Sequence, residues 1–133
     1  MKDFRDLNVW KKSDALVLAV YKASRGFPKD ELFSLTSQLR RTVASVPANI
    51  SEGCGRASDA DFGRFLQIAM GSACETEYHL LLAYDLHYLN DDAFGELTKG
   101  VVEVKRMLAS LLGKVKAGSG VKTAISSQLS AIS

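Results

Sequence analysis

Apolar residues recur at intervals of three and four positions in four stretches of the chain, which is the spacing of one face of an α-helix. These stretches predict helices near 8–25, 29–53, 59–88 and 91–116. No stretch alternates apolar and polar residues as a half-buried strand does, so the protein is predicted to be all-α. Four long helices with short connections favour an antiparallel up-down four-helix bundle spanning residues 1–116.

Particular residue types mark the ends of these predicted helices. Ser58 and Asn90 are expected to be the N-caps of the third and fourth helices. Pro28 suits the first turn of the second helix. Gly53 and Gly55 are expected to close that helix, because glycine accepts the left-handed turn of a helix end. Residues 117–133, rich in Ser, Ala and Gly, are predicted to form a flexible C-terminal tail.

Pro47 falls inside the second predicted helix. An interior proline cannot donate a hydrogen bond to the carbonyl four residues earlier, and it costs about 3 kcal/mol or more relative to alanine. The apolar residues Val43, Val46 and Ile50 nevertheless keep helical spacing across it. We therefore expect one helix kinked near Val43–Pro47, with a break into two helices as the alternative.

Four small residues, 71–74, follow one another inside the third predicted helix. Small side chains let a second backbone approach closely, although the glycine among them costs roughly 1 kcal/mol of helix propensity. The small residues Ala44, Ser45 and Ala48 of the second helix are the expected neighbours. The two helices are thus predicted to cross closely here.

Arg40 and Arg41 lie next to each other on the second helix and therefore point about 100° apart. Glu75 and Glu77 follow the small residues of the third helix, and a carboxylate at a tight helix crossing needs a cationic partner. Arg41 is predicted to pair with Glu75 or Glu77. Arg40 is predicted to lie on the basic surface or in a contact between subunits.

The composition is that of a globular protein, with 47% apolar and 24% charged residues in 133. The first residues lack the apolar core of a secretory signal, and no apolar run approaches the length of a membrane span. Cys54 and Cys74 are interpreted as ordinary buried thiols. Together these observations predict a cytoplasmic protein that does not bind membranes.

Charge is unevenly distributed, although the net charge is only +2. Residues 57–97 hold one basic residue against eight acidic ones, whereas residues 98–133 hold six against one. Such segregation indicates either helices that pair by opposite charge or a basic face for a partner. Repeated around an oligomer, a basic face would hold phosphates. The predicted nucleic-acid-binding residues are Lys11, Lys12, Lys22, Arg25, Arg40, Lys105, Arg106 and Lys114.

The sequence offers little support for an enzyme. It has no phosphate-binding loop, no dinucleotide fingerprint and no Glu-x-x-His pair of the kind that di-iron bundles use. Glu75, His79 and His87 are spaced along one helix face, but a histidine pair on a bundle helix is more often structural than metal-binding. We predict a non-enzymatic protein without catalytic residues, metal, cofactor or small-molecule substrate.

Three strings carry a family resemblance: FRDLNVW, FPKDELFSLTSQLRRTVASVPANISEGCGR and DFGRFLQIAMGSACETEYHL. They resemble the bacterial intervening-sequence proteins, which are four-helix bundles encoded within insertions in large-subunit ribosomal RNA genes and elsewhere in genomes. The resemblance covers residues 4–115, and Thr76 departs from it because an apolar residue is more usual there. The residues that match the family motif are Gln38, Arg41, Ser45, Pro47, Asn49, Glu52, Gly53, Gly71, Ser72, Glu75 and Glu77.

The resemblance implies an architecture and a genomic setting rather than a reaction. Family members resemble homopentamers, and they are similar in fold to an accessory protein of diversity-generating retroelements that binds nucleic acid and a reverse transcriptase. Apolar residues beside the main helix stripes, such as Leu18, Ile68 and Leu81, also favour self-association. We expect a cyclic homo-oligomer, with five subunits, as the assembled form.

Two functions are compatible with these observations. The first is a non-enzymatic oligomer, associated with ribosomal RNA intervening sequences, that binds RNA or DNA through its basic faces. The second is a purely structural or protein-interaction scaffold, for example a partner of a reverse transcriptase. A nuclease, a third possibility, would need metal-binding acids clustered on the third helix.

Overall fold

The computed structural model describes residues 3–116 and consists of four α-helices joined by short connections. Two short 3₁₀ helices precede the first and second of them, at Phe4–Asp6 and Lys29–Glu31. No residue between 3 and 116 lies in a β-strand, so the predicted four-helix, all-α class is confirmed. The predicted tail, 117–133, lies outside the described residues. The α-helices are α1 (Asn8–Ser24), α2 (Leu35–Cys54), α3 (Asp59–Asp85) and α4 (Asp91–Lys116).

The four helices surround a single core. Helices α1 and α3 each pack against both α2 and α4, so the helices form a closed square in cross-section. Along the α2–α3 contact, residue numbers rise on one helix as they fall on the other: Thr42 meets His79, and Gly53 meets Phe65. No helix within residues 3–116 is both long and apolar enough to cross a membrane.

Helix α2 continues without interruption through Pro47. Val43 and Val46 before the proline and Ile50 after it are all buried, as is Pro47 itself. The uninterrupted apolar face predicted from the sequence is therefore confirmed, and the alternative of two separate helices is wrong. Core packing offsets the hydrogen bond that the proline cannot make.

The second helix begins later than predicted, at Leu35 instead of residue 29. The backbone of Ser34 is not helical, with φ −125° and ψ −108°, so Leu32 falls outside the buried face and is 48% exposed. Tertiary contacts explain this difference. Phe27 is buried against Tyr88, and Tyr88 Oη donates a hydrogen bond to Glu31 at 2.8 Å.

The third helix ends at Asp85, three residues before its predicted end. His87 adopts a left-handed conformation, with φ 65°, and is exposed beyond the helix. The placement of His87 on the same helix face as His79 was therefore wrong. The left-handed residue lets the chain reverse direction towards α4.

The predicted N-caps are confirmed, and α2 ends at the predicted glycine segment with Gly55 as its C-cap, but the left-handed conformation expected there is wrong. Ser58 Oγ accepts a hydrogen bond from the Asp61 amide at 3.1 Å, and Asn90 Oδ1 accepts one from the Ala93 amide at 2.8 Å. Gly55 has φ −84° and ψ −5°, which is not the left-handed conformation expected at the end of α2.

Gly53 is required for close packing between α2 and α3. A Cβ atom at this position would lie 3.0 Å from Phe65 Cβ and 3.2 Å from Phe62 Cδ1. Gly71, which was predicted to serve this purpose, is exposed and would meet no such neighbour within 4 Å. The small residues predicted to face each other do meet one position later, at Ser72, whose hydroxyl lies 2.8 Å from that of Ser45.

We predict that Gly53→Ala destabilises the fold by about 1–3 kcal/mol, because the added methyl group overpacks the contact with the two phenylalanines. Gly95→Ala is the matched control, since this helical glycine of α4 has no neighbour within 4 Å of an added Cβ. Alanine should there be neutral or stabilising. Urea denaturation measures both, and equal stability of the two variants would contradict the packing role of Gly53.

Candidate nucleic-acid interface

Five basic residues gather where α1 ends and α2 begins. Arg25, Lys29 and Arg40 line one cleft there, Arg40 and Arg41 line a second, and Lys22 lies one helical turn from Arg25. The sequence prediction included three of them and missed Lys29 and Arg41 as surface cations. We call this group the basic end; it consists of Lys22, Arg25, Lys29, Arg40 and Arg41.

Arg40 is fixed against α1 rather than directed into solvent. Its Nε donates a hydrogen bond to Ser24 Oγ at 2.8 Å, and its Nη2 donates one to the Tyr21 carbonyl at 3.3 Å. Its guanidinium also lies over the Tyr21 ring, 4.9 Å from the centroid. A cation at this place satisfies a carbonyl of the last turn of α1 and opposes the negative end of the helix dipole. Arg40 therefore makes a contact with α1 that the sequence did not predict, while it also lines the clefts of the basic end.

Arg41 is exposed and makes a hydrogen bond to Ser37 Oγ, within its own helix, at 3.4 Å. Its predicted pairing with Glu75 or Glu77 is wrong. Glu77 accepts a hydrogen bond from Lys105 Nζ at 2.7 Å instead, and Glu75 is exposed.

A network of small polar groups occupies the α2–α3 contact where the arginine pair had been expected. Ser45 and Ser72 are joined through their hydroxyls, and Asn49 Nδ2 donates to the carbonyl of Ser45 at 2.8 Å and to its hydroxyl at 2.9 Å. Thr76 Oγ1, fully buried, donates to the Ser72 carbonyl at 2.8 Å. We call this group, extended by Thr42 and His79 at 3.3 Å from each other, the polar seam.

The polar seam accounts for several motif residues in structural terms. Ser45, Asn49 and Ser72 all belong to it, and Pro47 and Gly53 lie on the same helix in the core. The other motif residues lie outside it; among them, Glu52 forms an ion pair with Arg56 at 2.7 Å, and Gln38 is exposed.

The remaining predicted nucleic-acid-binding residues lie along α1 and α4, and two of them are engaged within the chain. Lys12 Nζ is 3.3 Å from Glu103, and the hydrogen bond that Lys105 donates to Glu77 raises the pKa of Lys105. These pairs link α4 to α1 and to α3. The other three, Lys11, Arg106 and Lys114, are exposed or half-buried and are not brought into one cluster by the contacts described above.

The cysteines and histidines differ from one another in their surroundings. Burial raises the pKa of the Cys54 thiol to about 11, so this thiol is protonated and inert at neutral pH. Cys74 is exposed, contrary to the prediction that both thiols are buried. His79 is buried in the polar seam. Between residues 3 and 116, no three His, Cys, Asp or Glu side chains are grouped so as to hold a metal ion.

Sequence reasoning missed Phe33, whose side chain is 93% exposed beside the basic end. It lines a cleft of about 520 Å³ together with Tyr21, Leu32, Arg40 and Arg41. In the sequence, Phe33 falls outside the apolar stripe formed by Leu32, Leu35 and Leu39. That position could have indicated an exposed aromatic side chain.

The two arginines should differ in their effect on stability. Arg40→Ala is expected to lower the free energy of unfolding by about 1–3 kcal/mol, because it removes two hydrogen bonds and a cation–π contact and leaves the buried Ser24 hydroxyl with one partner fewer. Arg41→Ala, the matched control, should change it by less than about 1 kcal/mol. Urea denaturation of both variants tests this, and a larger decrease for Arg41→Ala would contradict it.

Comparison with known proteins places this fold and motif in a family. No curated protein matches the chain. A crystal structure of a protein of unknown function, from the S23 ribosomal protein family of Bacteroides thetaiotaomicron, is similar to it with a TM-score of 0.73 and 28% sequence identity. The similarity covers 78% of this chain and 97% of that one. The family model described as 23S rRNA-intervening sequence protein matches residues 5–110, and the chain belongs to this family.

Proposed function

We propose that this protein is a non-enzymatic, oligomeric protein associated with ribosomal RNA intervening sequences, which binds RNA through the basic end. The gathering of four cations in two adjoining clefts at the junction of α1 and α2, with Lys22 one helical turn away, is the observation that supports this most directly. The name of the family links its members to the 23S rRNA intervening sequence. Cytoplasmic location is part of the same proposal.

The charge balance of the basic end favours a polyanion. Within residues 22–41, five cations outnumber two acids, Asp30 and Glu31. Glu31 is engaged as the acceptor of the hydrogen bond from Tyr88, a bond that raises the pKa of the tyrosine. The excess positive charge is suited to phosphates, whose neutralisation releases bound counterions.

Self-association would multiply this charge. Leu18 of α1 is 67% exposed, and on α3 Ile68, Tyr78 and Leu81 are 42%, 58% and 46% exposed. Because α1 and α3 occupy opposite corners of the square, a contact between the α3 side of one copy and the α1 side of the next is head-to-tail and can close into a ring. We propose a ring of five subunits, which carries five basic ends.

For the subunit itself we infer an up-down bundle whose second helix bends near Pro47. The opposite order of contacting residues along α2 and α3 supports the antiparallel arrangement. An interior proline ring crowds the carbonyl four residues earlier, which here is that of Val43, and this expectation supports the bend. The bend would direct residues 49–53 towards α3, where Gly53 makes its close contact.

The alternative is a scaffold that binds only protein, for example a partner of a nucleic-acid enzyme such as a reverse transcriptase. The exposed apolar side chains of α3 favour it, since such side chains are common in protein interfaces. The two functions differ in whether the pure protein binds RNA by itself.

The oligomeric state is tested by light scattering coupled to size-exclusion chromatography. A pentamer of 14.4 kDa chains should have a mass of about 72 kDa at micromolar concentration. Leu81→Glu should shift the mass towards the monomer, because a charge would be buried in the proposed contact. Lys99→Glu, on the exposed surface of α4, is the control. If the unaltered protein has a mass near that of one chain, the proposed ring of five subunits is refuted.

RNA binding is tested by electrophoretic mobility shift of a structured RNA across a salt series. Affinity should fall steeply with salt, and Arg25→Gln combined with Lys29→Gln should weaken binding and flatten the salt dependence. Arg64→Gln combined with Lys99→Gln removes the same charge from exposed sites away from the basic end. If no shift occurs at low salt, RNA binding is refuted and the protein-binding scaffold is favoured. If the two double variants weaken binding equally, the assignment of RNA binding to the basic end is refuted.

A further inference from the structure

Phe33 is an apolar ring placed almost entirely in water. It is 93% exposed, and the adjoining Leu32 is 48% exposed, in the connection between α1 and α2. Burying this ring together with Leu32 against a partner removes adjoining apolar surface from water, which favours a contact at this place.

The cleft beside Phe33 has a preformed wall. The Tyr21 ring is covered on one face by the Arg40 guanidinium, and Arg40 is itself held by Ser24 and by the Tyr21 carbonyl. Because these side chains are already fixed, a ligand that enters the cleft does not have to order them. Less of the free energy of binding is therefore lost to ordering side chains than at a flexible site.

The cleft has the size and chemistry for one nucleotide. It is a shallow, open cleft of about 520 Å³, which suits a base that stacks on a surface ring rather than a ligand enclosed in a pocket. No carboxylate is among its lining residues, which include the hydroxyl-bearing Ser37. The aromatic ring of Phe33 offers a face for stacking, and stacking tolerates any base.

Cations surround the cleft where a phosphate backbone would pass. Arg41 lies on its wall, and within residues 3–116 it makes one side-chain hydrogen bond, to Ser37 at 3.4 Å, so it can turn towards a ligand. Arg25 and Lys29 line the adjacent cleft, which shares Leu32 and Arg40 with the first. The two clefts therefore form a continuous basic path next to an aromatic ring.

We propose that the Phe33 cleft binds an unpaired nucleotide of single-stranded RNA, with the base stacked on Phe33 and the flanking phosphates at Arg41, Arg25 and Lys29. This inference rests on the proposed function and specifies it. A base inside a duplex is stacked on both sides and has no free face for Phe33, so the site selects loops, bulges or single strands over helical RNA.

The experiment measures fluorescence anisotropy of a labelled 12-nucleotide single-stranded RNA, and of the same strand annealed to its complement, with the full chain. Phe33→Ala should weaken binding of the single strand about tenfold or more while leaving the duplex nearly unchanged. Phe33→Trp should keep the affinity. Leu86→Ala, which removes another exposed apolar side chain, at the end of α3, is the control and should have no effect.

Salt dependence separates stacking from charge. Phe33→Ala should keep the salt slope, because Phe33 neutralises no phosphate, whereas Arg41→Gln should lower the slope by about 0.7 for each phosphate of the single strand that the arginine neutralises. A 2-aminopurine in the RNA gives an independent signal, since its fluorescence should change when its base leaves the neighbouring bases for Phe33, and should change less on binding to Phe33→Ala.

The outcomes distinguish failure of this inference from failure of the proposed function. If the unaltered protein binds neither RNA, the proposed function fails. If it binds RNA and Phe33→Ala binds the single strand equally well, only the Phe33 site is refuted. If Phe33→Ala changes the mass of the assembly, the Phe33 side chain lies in a contact between subunits. The nucleotide site is then refuted on that ground.

Discussion

The close approach of α2 and α3 is the constraint on which the rest of the structure depends. Gly53 brings the backbone of α2 against Phe65 and Phe62, and the hydroxyls of Ser45 and Ser72 meet further along the same contact. Larger side chains at these places would separate the helices and open the core between them. Helix α2 can hold Pro47 in its interior because this packing stabilises the helix on both sides of the proline.

The basic end depends on a second contact, between α1 and α2. Arg40 joins the start of one helix to the last turn of the other, and through it the clefts of the basic end acquire a fixed wall. One arginine therefore contributes both to the fold and to the positive surface. Its neighbour Arg41 has few contacts of its own and is available to a partner.

Much of the fold could be predicted from the spacing of apolar residues, because helical periodicity depends on the chain alone. The continuous face of α2 across Pro47 and the caps at Ser58 and Asn90 are of this kind. The late start of α2 could not be predicted, since it follows from the contacts of Phe27 and Glu31 with Tyr88, far along the chain. The sequence prediction also assigned the structural contact to Arg41 instead of Arg40. The two residues are adjacent, and which of them contacts another helix depends on how the helices pack.

The polar seam also constrains how the sequence can change. Asn49 donates a hydrogen bond to the Ser45 hydroxyl, and the same hydroxyl is hydrogen-bonded to Ser72. The Ser45 hydroxyl therefore has a partner on each of the two helices. Replacing one of them by an apolar residue leaves a partly buried partner without its hydrogen bond, whereas replacing the pair by apolar residues of similar shape can be nearly neutral. Substitutions in the seam are thus coupled. In evolution, the polar seam can therefore become apolar only through paired substitutions on α2 and α3. Each single substitution on the way gives a less stable protein.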